Sequence, residues 1–281
     1  MKRLIINADD FGIHEKVNEG IVSAHEKGVL TSTTLLASGL AFADAAEKAR
    51  RMPSLGVGVH LCLVGGLPPV SSLHEVRSLV DPDGLFFPSY GPVIKRAYEG
   101  KLNYQELYSE WDRQIEKIFR AGIAVTHIDS HQHLHMLPPI WKITAALMKK
   151  YKIKKLRIPR ESYGFKAILA NPVRTMGRSG LTFLAGRAMK DVRRQGFVTT
   201  DRFWGMIDGG HMNVNNLYYI LNQLGPGSHE MMMHPGLGAA ELSQQFTWGY
   251  RWEEEYEALL SPAIRDLIRE KKIQLIHFGQ L

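Results

Sequence analysis

Short apolar runs alternate along the chain with longer stretches in which apolar side chains recur every three or four positions. Leu4-Ile5-Ile6 predicts a buried strand, and Val17 to Lys27 predicts a helix with Val17, Ile21 and Ala24 on one face. The alternation continues with a strand at Thr33 to Leu36, a helix at Ala41 to Arg51 and a strand at Leu55 to Leu63. A long helix over Tyr104 to Arg120, a strand over Ile123 to Ile128 and a helix over Pro139 to Tyr151 follow. Further strands are predicted at Lys155 to Ile158, Arg202 to Ile207, Glu230 to His234 and Gln274 to Phe278. Repeated strand–helix order implies parallel strands joined by right-handed crossovers. Seven or eight strands favour an α/β fold of the TIM-like (β/α) barrel kind, regular or distorted, over an open doubly wound sheet. Residues 1–281 then form a single domain. No Gly-x-Gly-x-x-Gly follows the first strand, which argues against a dinucleotide site.

Two stretches break this rhythm. Residues 64–103 read as loop, with turn signals at Gly65-Gly66, Pro68-Pro69 and Asp81-Pro82-Asp83-Gly84. Residues 162–200 carry Lys166, Arg174, Arg178, Arg187, Lys190, Arg193 and Arg194 against one acid, Asp191, among many apolar residues. This basic amphipathic insertion accounts for nearly all of the formal net charge of +7. The surplus is therefore not interleaved with stacking aromatics along a nucleic-acid surface, and no nucleic-acid motif accompanies it. Its chemistry suits a lid that docks on anionic lipid and admits a lipid-linked substrate, or an assembly contact.

Composition adds exclusions. Apolar residues make up 44% and charged residues 22%, which excludes disordered and fibrous classes. The single cysteine, Cys62, excludes an internal disulfide and a cysteine-based zinc cage. Lys2-Arg3 precedes only a very short apolar run, and no 18 apolar residues run together. A cytoplasmic protein is expected, with any membrane contact peripheral at the inner face.

In a (β/α) barrel, chemistry gathers at the C-terminal ends of the strands. Four strand ends here carry metal-binding or acid–base side chains: Asp9-Asp10 after the first, His60 in the third, Thr126 to Met136 after the fourth, and His234-Pro235-Gly236 after a late one. Four of the 12 histidines fall between residues 127 and 135. In extended backbone His127, Asp129, His131, His133 and His135 would share one face, although Pro138 limits how far the strand can run. Neutral imidazole is the commonest nitrogen ligand for metals, and carboxylates orient it from behind. Adjacent acids such as Asp9 and Asp10 commonly cap a helix or fill a turn. They point in different directions and so can also divide two tasks, one holding a metal and the other taking a proton from water. His60 or His234 alone would read as a rim or turn histidine, and only their convergence on one rim implies a site.

Asn7-Ala8-Asp9-Asp10-Phe11-Gly12, Thr31-Ser32-Thr33-Thr34, Gly58-Val59-His60-Leu61 and the Thr126 to Met136 stretch resemble the YdjC family of carbohydrate deacetylases, and the resemblance resumes at His234-Pro235-Gly236. It implies a (β/α) barrel related to polysaccharide deacetylases and a metal-dependent hydrolase that removes an N-acetyl group from an amino sugar, releasing acetate. Asp10, His60 and His131 match the metal ligands for one divalent ion, magnesium or zinc. Asp9 matches the general base and His234 the acid. Arg157, in Leu156-Arg157-Ile158-Pro159-Arg160-Glu161 at a strand end, is expected to hold a sugar hydroxyl or phosphate. The Ile-Pro-Arg-Glu step and the basic insertion look most like the hopanoid-biosynthesis branch, and family members are often homodimeric. The same ligands also suit a phosphoesterase or another amidohydrolase; such sites hold two metals, for which His127, His133 and His135 are the spare donors.

Overall fold

Strand β1 (Lys2–Phe11) is buried without a break from Leu4 to Phe11. A strand covered on both faces shows no polar alternation, which is why its sequence reads as an apolar run that ends in acids. The structure, a computed structural model, describes residues 1–161, 186 and 189–281. β2 (Ser32–Leu35) and β6 (Gly227–Met233) flank β1; β3 (Gly56–Leu61) pairs with β2, β4 (Val125–Ser130) with β3, and β5 (Arg202–Trp204) with β6. Every one of these ladders is parallel. Two short extended runs complete the circuit: Ile128 bridges Leu156, and Lys155 bridges Val198, four residues before β5. The result is a closed, irregular (β/α) barrel, as the strand–helix alternation predicts.

β7 (Ile273–Leu275) pairs with Lys2–Leu4 of β1 and leaves the circuit. The predicted Gln274 to Phe278 strand is therefore cut short, and Ile276 and Phe278 form a small separate core with Ile5. Ile5 lies on the same face of β1 as Asn7 and Asp9, so this cluster closes the end of the barrel opposite the acids.

Helix α1 (Glu15–Lys27) buries Val17, Ile21 and Ala24 on the face its spacing predicts, and His14 caps it by accepting from the Lys16 N–H. α2 (Phe42–Arg50) follows β2. Residues 64–103 are not all loop: α3 (Tyr90–Tyr98) forms there. Tyr90, Val93, Ile94, Ala97 and Tyr98 recur at helical spacing, but Val93 is its only buried residue, so the stripe packs little and the neighbouring turn signals obscure it. α4 (Tyr104–Arg120) is capped by Asn103 and buries Leu107, Trp111, Ile115 and Ile118. α5 (Pro138–Lys150) begins on a Pro-Pro pair, which suits a helix's first turn. α6 (Val214–Gln223), α7 (Ala239–Gln245), α8 (Trp252–Leu260) and α9 (Pro262–Glu270) complete the described outer layer. Among described residues, no helix is long and apolar enough to cross a membrane. Residues 162–185, 187 and 188 of the basic insertion lie outside the described residues.

The turns that hold the acids are tightly packed. A Cβ on Gly39 would sit 2.1 Å from the carbonyl oxygen of Gly12, just past the end of β1. Backbone cannot swing aside as a side chain can. Gly39→Ala is expected to cost about 1–3 kcal/mol and to lower the melting temperature by roughly 2–10 °C. A melting temperature equal to wild type would show that this loop yields freely.

Candidate active site

The barrel interior is unusually polar. Asn7 and Asp9 on β1, His60 on β3, Asp129 on β4, Arg157 on the bridging run and Glu230 on β6 are all buried. Alternation along β1 turns Asp9 inward, where its Oδ1 accepts from Asn7 Nδ2 at 2.9 Å. The next residue, Asp10, takes φ 66°, a left-handed conformation that favours glycine. Such a conformation costs a non-glycine residue of order 1–3 kcal/mol and persists only where surroundings impose it. Here it releases Asp10 from strand alternation, so that adjacent acids enter the same chamber.

Asp10 is fully buried, with Oδ1 3.0 Å from His131 Nδ1 and 3.5 Å from His60 Nε2. One ligand atom from each of Asp10, His60 and His131 lies within 4.8 Å of the others. Asp10 Oδ2, His60 Nε2 and His131 Nε2 are buried without a hydrogen-bond partner. Each of the three residues thus keeps a buried side-chain atom without a partner, which is costly unless something satisfies it, and a divalent cation suits this donor set. Asp9, His60 and Asp129 form a second group of similar compactness. Its carboxylates, however, already face the Arg157 guanidinium, so the first group is the better cation site.

His60 is aimed by Asp129, whose Oδ1 lies 2.6 Å from its Nδ1. This is the carboxylate–histidine pairing that fixes a ligand's ring and tautomer. Burial opposes charge on His60, but Asp129 and Asp10 outweigh it and raise its pKa to about 10. Carboxylates that favour a proton at this ring favour a metal cation at its Nε2 for the same reason.

The histidine-rich stretch divides into separate jobs. Strand alternation turns His127 and Asp129 inward as expected, and His127 stacks on Phe278 at 3.8 Å in the closed end. Beyond Ser130 the chain leaves the strand for a 3₁₀ turn, His131–Met136, with Gln132 and His133 at φ 52° and 59°. His131 reaches Asp10, whereas His133 packs edge-on against Phe203. His135 is tied to Ser130 Oγ and to the Arg157 carbonyl, which anchors the turn.

Arg157 is fully buried and faces inward. It donates to both oxygens of Asp9 at 2.6 and 2.7 Å and to Glu230 Oε1 at 2.6 Å, and its Nη1 lies 2.6 Å from Asp129 Oδ2. The guanidinium is thus committed to three carboxylates in the interior. Burial favours the neutral form of Asp9, but Arg157 outweighs it, with help from His60, and holds Asp9 well below the usual carboxylate range. Glu230 goes the other way: burial, offset in part by Arg157 and reinforced by Asp129 and Asp9, pushes it up to about 7.

His234 follows β6 and is buried; its backbone N–H donates to Glu255 on α8. Burial holds its pKa below the ordinary histidine value, outweighing Asp9 and Asp10, which pull it up and mark it as a member of the same electrostatic group. Its Nδ1 has no hydrogen-bond partner. Tyr250 lies over its ring at 4.5 Å between centroids, and Trp248 lies against His131 at 4.9 Å.

All six side chains named from the sequence, Asp9, Asp10, His60, His131, Arg157 and His234, are therefore brought into one electrostatic group. Sequence reasoning missed Glu230, Glu255, Trp248 and Tyr250. Glu230 had a readable sign, an acid heading the apolar run Met231-Met232-Met233; the other three come from beyond β6 and carry none.

Comparison with known proteins is consistent along the whole chain. Residues 3–270 match the family described as YdjC-like protein. A carbohydrate deacetylase of Brevibacillus brevis is 32% identical, over 99% of this chain and 99% of its own length. A carbohydrate deacetylase of Mus musculus is 31% identical, over 99% of this chain and 94% of its own. A crystal structure from Enterococcus faecalis V583, described provisionally as a cellobiose-phosphate cleavage protein, superposes with a TM-score of 0.80 at 30% identity, over 99% of this chain and 98% of its own.

Proposed function

The chain belongs to the YdjC-like protein family, and from that membership we propose that it is a metal-dependent carbohydrate deacetylase that hydrolyses the N-acetyl group of an amino sugar. The observation that carries the reading is the compact buried group of Asp10, His60 and His131, each with an unpartnered side-chain atom, in the same electrostatic group as Asp9 and His234. Relatives named as carbohydrate deacetylases across nearly their full length support the substrate class.

Asp10, His60 and His131 would hold one divalent ion. When bound, the ion makes a neighbouring water more acidic and polarises the acetamide carbonyl. Two imidazoles and one carboxylate suit zinc or a similar transition ion, and magnesium to a lesser degree. Asp9, kept ionised by Arg157, takes the proton of the attacking water at a carboxylate oxygen. Water oxygen bonds to the carbonyl carbon, the C–N bond breaks, and His234 gives a ring proton to the departing nitrogen. Acetate and a free amino sugar leave.

The test is acetate release from a panel of N-acetylated amino sugars and short oligomers, before and after chelation. Acetate is expected from at least one substrate, lost after chelation and restored by one divalent ion. No acetate from any acetylated sugar by the metal-loaded protein would sink the reading. The description of the Enterococcus faecalis structure places phosphorylated disaccharides in the same panel, scored for phosphate. A two-metal phosphoester site would need its second ion at Asp9, His60 and Asp129, where Arg157 already stands.

A further inference from the structure

Arg157 is committed to carboxylates inside the barrel, but a second arginine of the same stretch is not. Arg160 is exposed and, with Asp201, Arg202, Phe203 and Trp204, lines a cavity of about 240 Å³. Arg202 is exposed as well. Neither guanidinium has a hydrogen-bond or ion-pair partner among the described residues. Two unpaired cations lining one cavity repel each other, and an anion between them turns that repulsion into attraction.

The cavity lies apart from the chamber of Asp9 and Asp10. Phe203 points inward, where it packs against His133 and has the Arg157 guanidinium 5.5 Å from its ring centre. Neighbouring side chains of a strand point to opposite faces, so Arg202 and Trp204 lie on the outer face of β5.

The walls of the cavity are held in place. Glu161, next to Arg160, is buried and accepts from the backbone N–H groups of Gly205, Met206 and Ile207 at 3.1, 2.8 and 3.1 Å. This fastens the chain at Arg160 to the chain leaving β5. Trp204 Nε1 donates to His229 Nδ1 at 3.2 Å, so the other imidazole nitrogen carries the hydrogen and donates to the Gly225 carbonyl at 3.0 Å. The indole is thereby locked. The one acid of the lining, Asp201, accepts from the Ser228 N–H and hydroxyl, both at 2.8 Å, and pairs with neither arginine. The lining keeps a net positive charge.

We propose that this cavity is a binding site for a phosphoryl group, outside the catalytic chamber. Guanidinium forks match phosphate oxygens two at a time, and such charge-assisted bonds are about twice as strong as neutral ones. The volume falls below the roughly 300–1,000 Å³ of a site for a drug-sized molecule. It suits a phosphomonoester with a small organic remainder against the half-open face of Trp204. The bearer is a soluble phosphate compound or a lipid headgroup, since both present the same anion. The site goes beyond the deacetylase reading and does not depend on it.

Titration calorimetry of the full chain with inorganic phosphate, at constant ionic strength, tests the site. Sedimentation with phosphatidylcholine vesicles, with and without phosphatidate, tells the two bearers apart. Wild type is expected to bind phosphate with a dissociation constant on the order of 1 mM. Arg160→Gln and Arg202→Gln are each expected to weaken binding by about tenfold and to leave the melting temperature in phosphate-free buffer unchanged. Phosphatidate vesicles that carry down wild type, but not the variant with both substitutions, identify a headgroup site. Phosphate binding without that gain identifies a soluble compound. No binding of either probe by wild type overturns the site. Binding that both substitutions leave intact puts the phosphate elsewhere and overturns it as well.

Discussion

Asp9→Asn is expected to lower the rate of acetate release by about 10²–10⁴-fold while metal content stays at the wild-type level. Asparagine keeps the shape of Asp9 and one accepting oxygen but cannot take a proton from water. Arg157 keeps Asp129 and Glu230 as counter-charges, so the chamber stays balanced. Asp10→Ala differs in kind: it removes one of the three bare donors, and metal and activity are expected to fall together. Elemental analysis and initial rates on the two variants separate the adjacent acids. Full turnover in Asp9→Asn would exclude it as the base. Loss of metal from that variant would instead put the ion in the group formed by Asp9, His60 and Asp129.

The electrostatics impose a condition on this role. Arg157 keeps Asp9 ionised at any working pH, and in doing so makes it a weak base. Proton transfer to a weak base is efficient only from an acidic donor. A water made acidic by a neighbouring divalent ion is such a donor. In the proposed reaction, an ionised Asp9 would therefore go with a bound ion: without one, the same carboxylate would face ordinary water and accept almost nothing.

The rim was legible because strand alternation and strand-end chemistry are local. Asp9, His60, His127 and Asp129 point inward as a period of two requires. The pattern stopped being readable where the backbone left extended geometry. Gln132 and His133 adopt left-handed angles that no hydrophobic pattern announces, and so His133 and His135 turn to structural work while His131 alone meets Asp10. Arg157 shows a different limit. Its place at a strand end was visible, but its inward aim follows from three carboxylates donated by β1, β4 and β6, a convergence that exists only once the barrel closes. Glu255 and Trp248 arrive from the region around α8 by the same closure. α3 escaped because its short stripe, Tyr90, Val93, Ile94 and Ala97, lies among the Gly and Pro turn signals of residues 64–103, which read as loop.

Arg157→Met should unfold far more readily than wild type, by about 3–5 kcal/mol, which corresponds to a melting temperature roughly 6–20 °C lower. Methionine fills much of the space but leaves Asp9, Asp129 and Glu230 buried with no guanidinium among them. Their folded-state pKa values then rise above those of the unfolded chain. Stability contributed by protonated carboxyls is present at low pH and lost as pH rises, so the deficit should shrink toward pH 5 and grow toward pH 8. Wild type carries a weaker version of this dependence. Asp9 is depressed, so its contribution disappears only in strong acid, outside that window. Glu230 is raised from 4.5 to about 7. Its contribution is complete below 4.5 and fades as pH climbs through 7, and Glu230→Gln, neutral at every pH, should gain on wild type between pH 5 and 8. Melting curves of the three proteins across that range decide the matter. If all three run parallel, the guanidinium is not what balances the charge of the chamber.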